Sequence, residues 1–116
     1  MINLANPDLV GHSGNYEATI KACEVVDACV GKIVSAVLKK DGVVLLTGDH
    51  GNAEQMLYPN GEPCPAHTTN KVPFCIISNH LNHELRENGG LQDIGPTILK
   101  LLDVSKPTDM GGKSLV

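Results

Sequence analysis

"VVLLTGDHGN", Val43 to Asn52, carries an apolar run straight into an adjacent Asp and His closed by glycine. β-Branched and leucine residues bounded by glycines read as a strand buried on both faces, so polar groups emerge only at its end. Asp49 and His50 therefore stand on the rim of a sheet. Taken alone, the pair reads as a solvated turn in which Asp49 accepts backbone hydrogen bonds and His50 is exposed. Only further residues on the same rim can displace that reading.

Upstream, "MINLANPD" alternates apolar residues and stops at Pro7, which predicts a short strand ending in a loop at Asn6 to Asp8. From Tyr16 to Lys40 the positions Ala22, Val26, Cys29, Val30, Ile33 and Val37 recur at helical spacing, with Asn15 as cap and Gly42 just past the end. Gly31, which costs about 1 kcal/mol against alanine, predicts a local irregularity in that helix. Downstream, Asn60-Gly61 marks the turn of a surface hairpin whose pairing Pro59, Pro63 and Pro65 limit. "VPFCIIS", Val72 to Ser78, predicts a third buried strand, and "NHLNHELRENGG" a loop or short exposed helix. "DIGPTILKLLDV" predicts a helix capped by Asp93 with Pro96 in its first turn, and "KPTDMGGKSLV" an irregular tail. Strand, helix, strand, excursion, strand, helix is the order of an α/β fold, here a partial parallel sheet flanked by helices in one unit over residues 1–116.

The bulk properties narrow the function. A net charge of −4 with Arg86 as the sole arginine offers no basic stripe for a nucleic-acid backbone. No apolar run approaches the ~20 residues of a membrane span, and Met1 is followed by neither a basic nor an apolar leader segment. The chain reads as soluble and cytoplasmic. Cys23, Cys29, Cys64 and Cys75 lack C-x-x-C spacing and suit reduced core or loop thiols.

Ligand sites in parallel sheets lie at the carboxyl ends of the strands. That rim collects Asp8, His12, Asp49, His50 and, on the excursion, His67 in "PAHTTN". A carboxylate four residues before an imidazole aims both at one point if "LVG" makes a turn. Mixed carboxylate and imidazole donors suit Mn²⁺, Zn²⁺, Fe²⁺ or Co²⁺ better than Ca²⁺, and offer too few oxygens for a Mg²⁺ cage. Each histidine alone reads as satisfied or solvent-facing; together on one rim the five residues read as a metal site. His80 and His83 have ligand-compatible spacing but sit in a polar segment before Glu84 and Arg86, and read as surface residues.

"NLANPDLVGHSGN", "TGDHGNAE", "AHTTNKVPF" and the closing "DIGPTILKLL…MGGKSLV" resemble the C-terminal part of cofactor-independent phosphoglycerate mutase, in the alkaline phosphatase superfamily. The resemblance runs nearly end to end. It implies that the chain is the last portion of a phosphatase-like domain, with Asp8, His12 and His67 on one divalent metal, manganese, and Asp49 and His50 contributing to a second. The remaining ligands of that second metal, an aspartate and the nucleophilic serine, match no stretch here, so the chain carries no catalytic nucleophile and its second site is incomplete. The implied substrate is a small phosphorylated three-carbon acid, 3- or 2-phosphoglycerate, held mainly by basic residues outside this sequence, and the complete enzyme is expected to be monomeric. The rivals are other superfamily members, a phosphopentomutase, phosphatase or sulfatase, and an inactive metal-binding module. "GNAEQM" and "AHTTN" favour the glycerate mutase.

Overall fold

The computed structural model describes residues 1–80 and 84–116, so His83 lies outside the described residues. The chain falls into two compact units, Met1–Asn79 and His80–Val116. No described helix is long and apolar enough to cross a membrane.

The first unit opens with a helix where a strand was expected. Residues 1–5 have no regular structure, and α1 spans Asn6–Gly11 with Pro7 in its first turn. Proline's fixed φ and missing N–H suit that position, so Pro7 starts a helix instead of stopping a strand. Asp8 lies in the first turn, where the helix dipole favours an anion, and His12 closes the helix with its N–H on the Asp8 carbonyl. α2, Tyr16–Leu38, packs on α1. Asn15 caps it as expected, its side-chain oxygen accepting the Ala18 N–H at 3.0 Å. The helix runs unbroken through Gly31, around which there is open space. At its far end Asp41 takes the left-handed conformation at φ 58°, and the Gly42 N–H returns to the Val37 carbonyl at 3.0 Å. A Cβ at Gly42 would run into the Val37 side chain, so that glycine is required by close approach and not by φ.

β1, Val44–Thr47, and β2, Phe74–Ile77, pair with Val44 opposite Ile77 and Thr47 opposite Phe74. The α/β class holds, but these two strands run antiparallel, against the expected parallel sheet. The reason lies in residues 48–73, which contain no helix and cannot make the crossover that parallel neighbours need. Nor are the strands buried on both faces. Leu46 is 37% exposed and Cys75 is exposed. Residues 48–73 leave and return at the same end of the ribbon. Within them the Asn60-Gly61 hairpin forms as expected. The Gly61 N–H closes a turn on the Tyr58 carbonyl at 2.9 Å, Gly61 sits at φ 84°, and Leu57 and Pro63 make an isolated bridge. Below the tip, Met56 and Cys64 are buried together, joined by Cys64 N–H to Met56 carbonyl at 2.7 Å.

The second unit is organised by Asp93. A 3₁₀ turn, Leu91–Asp93, leads into α3, Ile94–Leu101, with Pro96 in the first turn as expected. Asp93 stands at the N-cap of α3, but its carboxylate, 93% buried, serves other donors. It accepts the Lys113 N–H at 2.8 Å, the Gly90 N–H at 3.0 Å and Arg86 Nη2 at 2.6 Å. The tail expected to be irregular has no helix or strand, yet it is fixed: Leu115 N–H reaches the fully buried Thr97 hydroxyl at 2.9 Å, and Arg86 N–H the Leu115 carbonyl at 2.8 Å.

The Lys113 and Gly90 N–H groups, with the Arg86 guanidinium, hold the Asp93 carboxyl below the usual aspartate range. A carboxyl that titrates lower when folded stabilises above its unfolded pKa of about 3.9 and loses that contribution as pH falls through the folded value. Asp93→Asn should therefore melt below wild type at neutral pH, with the gap narrowing as melts are repeated from about pH 5 to about pH 2.5. A gap that stays constant across that range would show that the charge contributes nothing.

Candidate metal centre

α1 and the neck of residues 48–73 build the centre. One helical turn separates Asp8 from His12, and the Asp8 Oδ1 to His12 Nε2 distance is 3.2 Å. On the neck, Gly51 and Thr68 make an antiparallel bridge, Thr68 N–H to Gly51 carbonyl at 2.8 Å, which sets His67 beside the Asp49-His50 turn. A Cβ at Gly51 would overlap the Thr68 hydroxyl and the Glu54 carboxylate, so only glycine allows the two limbs to approach so closely.

His67 Nε2 lies 3.2 Å from Asp8 Oδ1 and 3.3 Å from His12 Nε2. Asp8 Oδ1, His12 Nε2 and His67 Nε2 thus form a nearly equilateral triangle. Donors held about 2.1 Å from a common cation are separated by roughly 3.0 to 3.4 Å in octahedral or tetrahedral arrangement, and the triangle fits. His12 Nδ1 faces the Pro65 carbonyl at 2.8 Å, an oxygen that can only accept, so a neutral His12 ring turns its Nε2 lone pair into the triangle.

His50 stacks on His67 with ring centroids 3.6 Å apart and planes 13° from parallel. Asp8, His50 and His67 each place one ligand atom within 4.8 Å of the others. His50 Nδ1 is buried with no hydrogen-bond partner among the described residues. Asp49 stands apart: its side chain is 82% exposed, and the carboxylate lies 3.7 Å from the neighbouring His50 Nε2. Of the five residues picked from the sequence, four converge and Asp49 lies at the margin. His80 is exposed in the other unit.

Two residues at the centre escaped the sequence reading. Asn52 is 5% exposed and donates from Nδ2 to Asp8 Oδ1 at 3.0 Å. A Cβ at Gly11 would overlap its Oδ1, so Gly11 is kept small by this amide. Glu54 accepts the Asn52 N–H, the Thr68 hydroxyl and an Asn70 amide N–H. The Thr68 hydroxyl above all, with the Asn70 and Asn52 donors, lowers the Glu54 carboxyl from its ordinary value. Both lie in the quoted "GNAE", and a polar residue two positions past a candidate ligand in a glycine turn was the available signal.

A mixed carboxylate and imidazole cluster on a half-buried rim defines a class, and the comparisons agree with it. A family model, the metalloenzyme superfamily, matches residues 1–106, and the chain belongs to that superfamily. It is 56% identical over 117 residues to the 2,3-bisphosphoglycerate-independent phosphoglycerate mutase of Clostridium botulinum (strain Langeland / NCTC 10281 / Type F), a match covering 100% of this chain and 23% of that protein. The mutase of the same name from Clostridium acetobutylicum is 54% identical over 116 residues, covering 99% of this chain and 23% of that one. Among solved structures, a Leishmania mexicana phosphoglycerate mutase determined at low cobalt concentration matches with TM-score 0.84 at 34% identity, over 98% of this chain and 24% of its own. The chain spans less than a quarter of the length of these relatives.

Proposed function

We propose that this chain supplies metal-holding side chains of a phosphoglycerate mutase that interconverts 3- and 2-phosphoglycerate. In this reading Asp8, His12 and His67 bind one divalent cation, manganese, and His50 and Asp49 contribute to a second. Residues 1–116 are then the closing portion of a phosphatase-like domain in a cytoplasmic, monomeric enzyme. The observation that carries the reading is the triangle of Asp8 Oδ1, His12 Nε2 and His67 Nε2, with edges of 3.2, 3.2 and 3.3 Å. The relatives' names and their identity over the whole chain support the substrate.

When bound, the cations would neutralise phosphoryl charge and fix its orientation, which is most of what phosphoryl transfer asks of a protein. This chain's residues do the holding. Asp8 brings the negative charge, and the Asn52 amide fixes the carboxylate that carries it. The Pro65 carbonyl fixes the His12 tautomer. The chain's one arginine is engaged elsewhere: Arg86 is bound to Asp93 and to the Lys113 and Ser114 carbonyls. In this reading bidentate cations for the substrate carboxylate and phosphate, and the nucleophile, come from outside these residues.

Imidazole ligation competes with protons. Titration calorimetry with Mn²⁺ should find binding at about pH 7.5 that weakens progressively toward about pH 5.5, and a flat affinity would overturn the ligand set. The same chain mixed with 3-phosphoglycerate and Mn²⁺ should form no 2-phosphoglycerate; robust turnover would overturn the reading as part of a longer enzyme.

A further inference from the structure

Glu54 ties the two limbs of the neck to each other. Its Oε2 accepts the Asn52 backbone N–H at 2.7 Å on the outgoing limb, while Oε1 accepts the Thr68 hydroxyl and the Asn70 Nδ2 at 3.0 Å on the returning limb. Each partner adjoins the centre. Asn52 presents its amide to Asp8 at 3.0 Å, and Thr68 directly follows His67, whose Nε2 must stay 3.2 Å from Asp8 Oδ1. Apart from the Gly51–Thr68 bridge, no backbone pairing joins the limbs at this level among the described residues. Both Glu54 oxygens face N–H or O–H donors, so the carboxylate acts as an acceptor for both limbs.

We propose that Glu54 is a positioning residue, a clamp that sets the spacing between His67 and Asp8 by fixing Thr68 and Asn52; this rests on the metal reading of the centre given above. Charge-assisted bonds of this kind are about twice as strong as neutral ones, and one carboxylate makes them to both limbs at once. Gln at this position has the same length but only one acceptor oxygen. Its NH₂ must then face either the Asn52 N–H or the Thr68 and Asn70 donors.

The test uses the full chain, with Co²⁺ and Mn²⁺ as probes. Glu54→Gln should weaken their binding about tenfold, the low end of the cost of losing a direct partner of a metal ligand, because Glu54 acts through Asn52 and Thr68. Thr68→Val should do the same, and Thr68→Ser, which restores the hydroxyl, should bind as wild type. In the metal-free chain, Glu54→Gln should speed hydrogen exchange of the Asn52 and Thr68 amides about tenfold while leaving the α2 amides unchanged. Unchanged exchange at Asn52 and Thr68 would overturn the clamp whether or not the chain binds cations, and so would equal acceleration in α2. Wild-type-like cation binding by Glu54→Gln would overturn the clamp and leave the metal reading intact. A wild-type chain that binds neither cation would overturn the metal reading, and with it the positioning role.

Discussion

Asp8→Ala should lower the affinity of the chain for Mn²⁺ or Co²⁺ by more than about a hundredfold, beyond the tenfold to hundredfold typical of outer-shell changes. Asp8 Oδ1 is the point the centre shares. It lies 3.2 Å from His12 Nε2, 3.2 Å from His67 Nε2 and 3.0 Å from the Asn52 amide nitrogen, and among the described residues it is the carboxylate grouped with His50 and His67. Without it His12 and His67 face each other with no negative charge between them to draw a cation in. The folding cost should be small by contrast, because a carboxylate in the first turn of a short helix contributes only about 0.3 to 1 kcal/mol through the dipole. Affinity and stability therefore separate in one variant. Asp27→Ala is the matched control: it is an exposed carboxylate on α2, outside the centre, so calorimetry should find at most a few-fold change. Retained affinity in Asp8→Ala would show that the cluster is not a metal centre.

Gly112→Ala should destabilise the His80–Val116 unit by about 3 kcal/mol or more, combining overpacking with buried hydrogen bonds left unmade. A Cβ at Gly112 would overlap the Gln92 carbonyl, which is backbone and cannot swing aside as a side-chain tip would. The tail has to lift instead. Lys113 N–H then leaves Asp93, and Leu115 N–H leaves the Thr97 hydroxyl, both at sites closed to water. Gly111→Ala next door meets nothing within 4 Å and should stay within about 0.5 kcal/mol of wild type. Hydrogen exchange of the α3 amides would read both variants, and equal rates would refute the steric account.

Local signals in the sequence proved reliable where the neighbours in sequence are the neighbours in space. Asn15 caps α2, Gly61 turns the hairpin and Pro96 begins α3, each through contacts within four residues. Pro7 was ambiguous for the same local reason, since a proline that ends a strand also suits the first turn of a helix. Strand direction was not legible, because it depends on whether residues 48–73 contain a crossover helix and on which end of the ribbon they regain. The grouping of Asp8, His12, His50 and His67 was legible because histidines number only five and these three each stand within two positions of a glycine or proline. Asn52 and Glu54 were not, since their roles consist of bonds to residues up to 44 positions away. No pattern of periodicity or spacing carries such bonds.

Thr47 and Phe74 face each other at the mouth of residues 48–73, and Gly61 lies at the opposite extreme with open space around it. Polymer physics treats such a segment as a ring closed at its base, in which each doubling of length costs only about 0.6 kcal/mol. Insertions or a spectroscopic label at the tip would be absorbed there, while the base, where Gly51 meets Thr68, admits no change of length. Evolutionary drift in this part of the molecule has room to accumulate at one end and almost none at the other.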